Sequence, residues 1–405
     1  MSARTAAPPL RAALAAATED RLVYDLAGIA GQYDMLRREL PGVRVRFALK
    51  ACPVDDVLTH LAGLGAGVDA ASPQEIEQAL RAGVPLDRIH YGNTVKSDRA
   101  IAHARRLGVR DYATDNAEDV AALAAHAPGA RVFCRLATSG RGALWGLSEK
   151  FGCPTQDAVD VLTAARAAGL VPAGLSVHVG SQQMTAGAWR EAFDDLGAAL
   201  AALRRRGIVL DHVNLGGGLP ALGYADRHGS PLDPPLDKIF AVVREGMARL
   251  RAAHGAPLAF VMEPGRHLVA DHGAIRAHVV RLARRRAADG HHRYWLYLSC
   301  GRFNGLYETD ALRHPLVFPG HHDAEHVPAV VAGPTCDSDD TFAYHAETGE
   351  DRGLVRVPKR LSSGDPVWVL NTGAYAVSYM TQGFNGFAPL PLHCVGGGAV
   401  TAAAS

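Results

Sequence analysis

Between residues 43 and 270 the sequence alternates short apolar runs with longer stretches of helical periodicity, and this alternation limits the fold more than any other feature. The runs lie at 43–49, 65–70, 89–93, 109–114, 131–136, 174–179, 212–215 and 258–262; helical patterns occupy 53–64, 73–81, 97–106, 116–125, 156–168, 189–206 and 236–253. Many helical stretches open on a cap-like residue or a proline and close on glycine, as at Gly65, Gly83, Gly108, Gly169 and Gly207. Eight strands alternating with helices predict parallel βαβ units closed into a TIM-like (β/α)8 barrel within an α/β fold class. A doubly wound open sheet is the alternative pattern.

After residue 270 the texture changes. Alternating segments at 274–283, 294–298, 329–331 and 365–370 are separated by proline, glycine and histidine clusters and predict a second, mainly β domain. Residues 21–24 could add a strand to it. The expected organisation is a barrel over 27–270, a β domain built from 1–26 plus 271–395, and a small-residue, disordered tail over 396–405.

Composition excludes several classes of function. With 405 residues, 48% of them hydrophobic and 20% charged, the chain can bury two sizeable cores. A formal net charge of +1 with signs interspersed offers no field for nucleic acid or an acidic membrane surface. The six cysteines, Cys52, Cys134, Cys153, Cys300, Cys336 and Cys394, show no zinc-like spacing and read as free thiols of a reducing compartment. The alanine-rich start is broken by Arg4, Pro8, Pro9 and Arg11, so no signal-type segment is expected, and no run is long enough to span a bilayer. Cytoplasmic residence is the expectation.

A (β/α)8 barrel places its chemistry at the carboxyl ends of its strands. There the sequence puts Lys50, Asp69, Asn93, Arg135, His178 to Ser181, Gly216 to Gly218 and Glu263-Pro-Gly-Arg266. A lysine held neutral at a strand end can condense with an aldehyde. Glycines let backbone amides approach a phosphate, and Arg266 adds a fixed positive charge. Glu263 can hold a proton on a pyridine nitrogen, and His178 offers a flat face for a ring. Together these suit pyridoxal 5′-phosphate. Further along, Gly333-Pro-Thr-Cys-Asp-Ser-Asp-Asp340 joins a thiol to carboxylates: a cysteine can protonate a carbanion and an aspartate can bind an ammonium group. Tyr375 offers a phenol to phosphate or a ring to the core. The cluster His321-His-Asp-Ala-Glu-His326 reads as a solvated loop, and no metal is expected.

Phe-Ala-Leu-Lys50, His178-Val-Gly-Ser181, Gly216-Gly-Gly-Leu-Pro220, Glu263-Pro-Gly-Arg266, Gly333-Pro-Thr-Cys-Asp337 and Gly373-Ala-Tyr375 occur in the order seen in the ornithine/diaminopimelate/arginine decarboxylase family. The chain resembles its bacterial-type ornithine decarboxylases, of the alanine-racemase-like fold, from about residue 20 to 395. The resemblance implies a pyridoxal phosphate enzyme working as a homodimer with shared active sites. It assigns Lys50 to the cofactor aldehyde, Glu263 to the pyridine nitrogen, His178 to the ring face, and Ser181, Gly217, Gly218, Arg266 and Tyr375 to the phosphate. Asp69 and Arg135 would line the site, while Cys336 and Asp337 would come from the partner subunit.

Substrate choice is divided. Asp337 after Cys336 resembles the ornithine and lysine branch and favours a cationic substrate end. The segment containing Ser299 and Cys300 resembles a stretch that usually carries an aspartate where Ser299 stands, so one acceptor for an ammonium is missing. Asp339 or Asp340 could compensate. The alternatives are a modified or less cationic amino acid in specialised metabolism, a racemase on the same fold, and a non-catalytic regulatory homologue; Lys50 and Cys336 argue against the last.

Overall fold

The computed structural model describes residues 6–146, 149–286, 290–342 and 354–397. Its described residues divide into two compact units: those within 30–220 and 234–267, and those within 6–29, 221–233 and 268–397.

The first unit holds a closed eight-stranded parallel barrel. Around it run Val43–Ala48, Gly67–Ala70, Ile89–Tyr91, Asp111–Thr114, Arg131–Arg135, Val171–Ser176, His212–Asn214 and Ala259–Met262, and the last pairs with the first. Each predicted strand is present, and the open-sheet alternative is excluded. Helices begin where their caps predict. Ser72 Oγ accepts from Glu75 N–H, and the Glu75 carboxylate accepts from Ala71 N–H at 2.6 Å; Ser97 and Asn116 cap the next two helices. The five glycines read as helix stops all adopt left-handed φ, between 69° and 97°.

Strand parity sends one face outward to the helices and the other into the lumen. Apolar Val45 and Phe47 are buried on the first strand, between the polar Arg44 and Arg46. At the amino ends of the strands lies an ionic layer. Asp111 takes Arg131 at 2.8 Å and Arg46 at 3.8 Å; Arg131 also reaches Asp211, which pairs with His212, both at 2.8 Å. Above it Phe133 packs against both His90 and His212, with ring centroids 5.1 and 5.7 Å apart. The rim carries the polar strand ends.

The second unit is built on an eight-stranded sheet ordered Leu316–Val317, Pro366–Leu370, Gly273–Arg286, His292–Leu298, His326–Ala332 and Val355–Pro358. Arg21–Asp25 adds antiparallel to Gly273–Arg286, and Leu392–Val395 lies parallel beside it. The helix Pro8–Ala16, not foreseen in the alanine-rich start, buries Leu10 and Leu14 against Val23, Ala274, Trp368 and Leu370.

The compact units differ from the expected boundaries by three residues at each end of the barrel, 27–29 and 268–270, and more widely at 221–233. Residues 221–233, assigned to the barrel from sequence, group with the β unit, because Leu222 and Gly223 N–H groups donate to the Asp271 carboxylate and Ala225–Asp226 pairs with Leu312–Arg313. Of the tail expected over 396–405, residues 398–405 lie outside the described residues.

Candidate active site

The strand-end residues of the barrel converge on one rim. Lys50 follows the first strand in the short 3-10 turn Leu49–Ala51, its side chain 48% exposed and its Nζ 3.9 Å from Asp69 Oδ2. Asp69 is buried, and Gly92 leaves room for it: a Cβ on Gly92 would overlap the Asp69 carboxylate. On the other side, Asp69 Oδ1 meets His90 Nε2 at 3.1 Å. The same nitrogen lies 2.9 Å from Glu263 Oε1, and Asn214 Nδ2 donates to that oxygen at 2.5 Å. Gly216 N–H fixes Asn214 by donating to its Oδ1 at 2.9 Å.

Burial would raise the Asp69 pKa, but the hydrogen bond from His90 and the charges of Lys50, His90 and Arg135 outweigh it and hold the carboxyl below its usual range. Burial and Arg46 oppose a proton on His90; Asp69 and Glu263 prevail and raise its pKa above that of an ordinary histidine. The two directions agree on an ionic pair. Asp69, His90 and Glu263 are also a group of metal-ligating side chains among the described residues, their ligand atoms within 4.8 Å of one another. One imidazole nitrogen facing two carboxylate oxygens at 2.9 and 3.1 Å is hydrogen-bond geometry, with the N–H shared between them.

His178 follows the sixth strand. Its Nδ1 accepts from Gly180 N–H at 3.0 Å, which leaves the proton of the neutral ring on Nε2, and its carbonyl accepts from Thr138 Oγ1 at 2.6 Å. Burial first, then Arg135 and Lys50, pushes its pKa down to about 3. Because the folded value lies below the unfolded one, about 6.5, the neutral ring's contribution to stability is intact above that pH and is lost as pH falls toward 3. A nuclear magnetic resonance titration of the cofactor-free protein is therefore expected to show no protonation of this ring above about pH 4. A midpoint near 6.5 would contradict the geometry.

Gly216 and Gly218 have φ of 63° and 111°, and an added Cβ would run into the carbonyl oxygen of Val177 or lie 2.7 Å from that of Gly180. Among the described residues, the N–H groups of Gly217 and Gly218 donate to no protein acceptor. Arg266 is buried, its guanidinium 4.6 Å from the centroid of the Trp145 ring. Ser181 opens the short strand Ser181–Gln183, which pairs with Ala143–Trp145. Arg135 ends the fifth strand, 5.2 Å over the Phe151 ring. An amine beside a carboxylate, a second carboxylate fixed by two donors, undonated glycine amides and a buried guanidinium fit an aldehyde cofactor with a ring nitrogen and a phosphate.

Other predicted residues belong to the β unit. Cys336 and Asp337 are exposed; Cys336 Sγ lies 3.3 Å from Asn385 Oδ1, and Asp337 Oδ1 accepts from Asp339 N–H at 2.8 Å. Tyr375, at φ 61°, caps the helix Ala376–Tyr379 and stacks on Tyr379. Two residues assigned to the substrate, Ser299 and Cys300, also lie in the β unit. Cys300 is 0% exposed, continuing the buried face of Leu296 and Leu298, and burial with Asp20 and Asp340 nearby pushes its thiol pKa up. Ser299 Oγ is turned to its own sheet and accepts from His278 N–H at 2.9 Å. Asp340 does not compensate: it is buried and accepts from Arg302 N–H, Thr335 N–H and Thr335 Oγ1. In the cluster 321–326, His321 pairs with Asp365, Glu325 with Lys359, and His326 with a backbone carbonyl.

Sequence reasoning missed His90 and Asn214. Both lie inside strands, where only their inward parity and their register beside Asp69 and Glu263 mark them.

Comparison with known proteins identifies the family. Residues 26–270 match the model of the pyridoxal-dependent decarboxylase family, pyridoxal binding domain. The lysine/ornithine decarboxylase of Selenomonas ruminantium is 31% identical over 369 residues, covering 90% of this chain and 87% of the relative. A variant of SrLDC solved in complex with PLP superposes with a TM-score of 0.84 at 29% identity, covering 97% of this chain and 96% of that one. The lysine/ornithine decarboxylase of Vibrio vulnificus, complexed with putrescine, gives 0.80 at 28% identity, covering 95% and 96%. With this barrel, this rim and similarity along nearly its whole length, the chain belongs to the pyridoxal-dependent decarboxylase family.

Proposed function

We propose that the chain is a carbon–carbon lyase that removes carbon dioxide from a basic amino acid, ornithine or lysine, and releases the corresponding amine. The observation that carries this reading is the pairing of Lys50 with Asp69 beside a Glu263 carboxylate held by His90 and Asn214. Bound pyridoxal phosphate supplies an electron sink for the pair released at Cα when the carboxylate leaves. Lys50 holds the cofactor's aldehyde carbon, and Glu263 keeps a proton on its ring nitrogen. His178, neutral and locked by Gly180, would offer its face to the ring. Ser181, Gly217, Gly218, Arg266 and Tyr375 bind the phosphate, while Asp69 and Arg135 orient Lys50 and the site wall. Cys336 returns a proton to Cα, and Asp337 accepts the substrate's distal ammonium.

The chain works as a homodimer in this reading, with Cys336 and Asp337 delivered by the partner subunit. Exposure of both residues, and of the aromatic rings Tyr307, Tyr379, Phe384 and Phe387 in the same unit, supports it. A role in polyamine synthesis in the cytoplasm follows from the same substrates. Among the described residues no helix is long and apolar enough to cross a membrane.

With Asp340 buried and its carboxylate taken up by its own unit, Asp337 and the exposed Asp339 remain as acceptors for a cationic substrate end, and the resemblance favours Asp337. Carbon dioxide release from a panel of amino acids, with mass identification of the amine, tests the reaction. Asp337→Ala is expected to lose about 2 to 4 kcal/mol in kcat/KM for ornithine or lysine, as when one partner of a desolvated charged pair is removed. Preference for an amino acid without a distal cation, with Asp337→Ala unaffected, would move the assignment to a specialised decarboxylase.

A further inference from the structure

His90 lies within the third barrel strand, 1% exposed, and its Nε2 meets Asp69 Oδ1 and Glu263 Oε1 together. Glu263 Oε1 also takes the amide of Asn214, so two donors converge on one carboxylate oxygen. Neither of them engages Oε2. Asp69 is divided in the same way, with Oδ1 on His90 and Oδ2 toward Lys50. A single imidazole therefore fixes the rotamers of the carboxylate beside the cofactor lysine and of the carboxylate assigned to the ring nitrogen.

We propose that His90 is a positioning residue of the cofactor site, whose shared N–H keeps Asp69 directed at Lys50 and leaves Glu263 Oε2 for the ring nitrogen. The proposal rests on the reading of Glu263 as that nitrogen's partner. Its physical basis is the crowding of two carboxylates, Asp69 buried and Glu263 half-buried. Their ligand atoms lie within 4.8 Å of each other, and with nothing between them one would take a proton to relieve the repulsion. Protonation of Asp69 would weaken its hold on Lys50; protonation of Glu263 would remove the anion that keeps the ring nitrogen charged. His90 prevents both. The groups facing it are Asp69 on the second strand, Glu263 after the eighth, Arg46 on the first and the Phe133 ring on the fifth. A histidine serving only to fill the lumen would not need both carboxylates on one nitrogen.

Two substitutions separate donor from filler. His90→Gln keeps a side-chain N–H, whereas His90→Leu keeps volume and removes it. Cofactor-stripped protein is titrated with pyridoxal phosphate and followed by absorption, with thermal melting as the check on folding. His90→Leu is expected to weaken binding by about 10- to 100-fold, the range for losing a group that orients a ligand-holding side chain, and to lower kcat more than it changes KM. His90→Gln is expected to stay within about threefold. Wild-type affinity in a folded His90→Leu protein, or equal losses in both variants, overturns the proposal.

A second readout needs no cofactor. In histidine-labelled apo protein, the ring N–H signal that disappears in His90→Gln is expected to shift in both Asp69→Asn and Glu263→Gln. A signal unmoved by either substitution overturns the shared bond. Failure of wild type to bind pyridoxal phosphate while this signal responds would instead refute the function proposed for the site.

Discussion

Lys50→Ala is expected to fold and melt like wild type yet lose about 10⁴-fold or more in turnover, the scale on which removal of a covalent nucleophile acts. The structure separates the two effects. The Lys50 side chain is half exposed in a three-residue turn and supports no part of the core, so its truncation leaves no cavity. Lys96 also follows a barrel strand, Ile89–Tyr91. Its ammonium, however, is fully buried and donates to the carbonyls of Asn93, Thr94 and Ala113 and to Asp119, which makes it a structural cation. Borohydride reduction of the cofactor-loaded protein followed by peptide mapping is expected to mark Lys50. A label on Lys96 or any other lysine would remove Lys50 from the centre of the site.

Mixing two inactive proteins is expected to restore activity. If Lys50 and Cys336 from different subunits form one site, Lys50→Ala and Cys336→Ala proteins allowed to exchange should recover up to about a quarter of wild-type sites, because half the dimers are mixed and each carries one intact site. Cys336 suits this test: it is exposed, and its known contacts are the side-chain oxygen of Asn385 to its thiol and its own N–H. Its loss should therefore cost little stability. Demonstrated subunit exchange without recovered activity would refute the shared site.

The barrel was legible because its signals are local. Apolar runs, cap residues and stop glycines locate each strand to within a few residues, and the strand-end rule then selects Lys50, Asp69, Arg135, His178 and Glu263. What the sequence hid depends on pairing. The helix Pro8–Ala16 has only two large apolar residues, Leu10 and Leu14, among prolines and alanines, and the strands Ala143–Trp145, Ser181–Gln183 and Leu392–Val395 are too short to show a period. His90 and Asn214 look like polar interruptions of strands until the closed barrel turns both inward. The surroundings of Ser299 and Cys300 were hidden for a related reason. Resemblance places them near a substrate, but the parity of His292–Leu298 carries Cys300 into the core behind Leu298.

The β unit gathers its strands from both ends of the chain, and this sets an order of events during synthesis. Leu22, Val23 and Tyr24 are fully buried once Arg21–Asp25 has paired with Gly273–Arg286 and Leu392–Val395. A ribosome adding about 5 to 20 residues per second needs roughly 10 to 50 s to make the first partner after the strand emerges. Through that interval the barrel can close on its own contacts while an apolar strand waits with unpaired edges, a state prone to association with other nascent chains. A chaperone that holds residues 21–25 through that interval would therefore protect the one strand of the β unit that is made long before its partners.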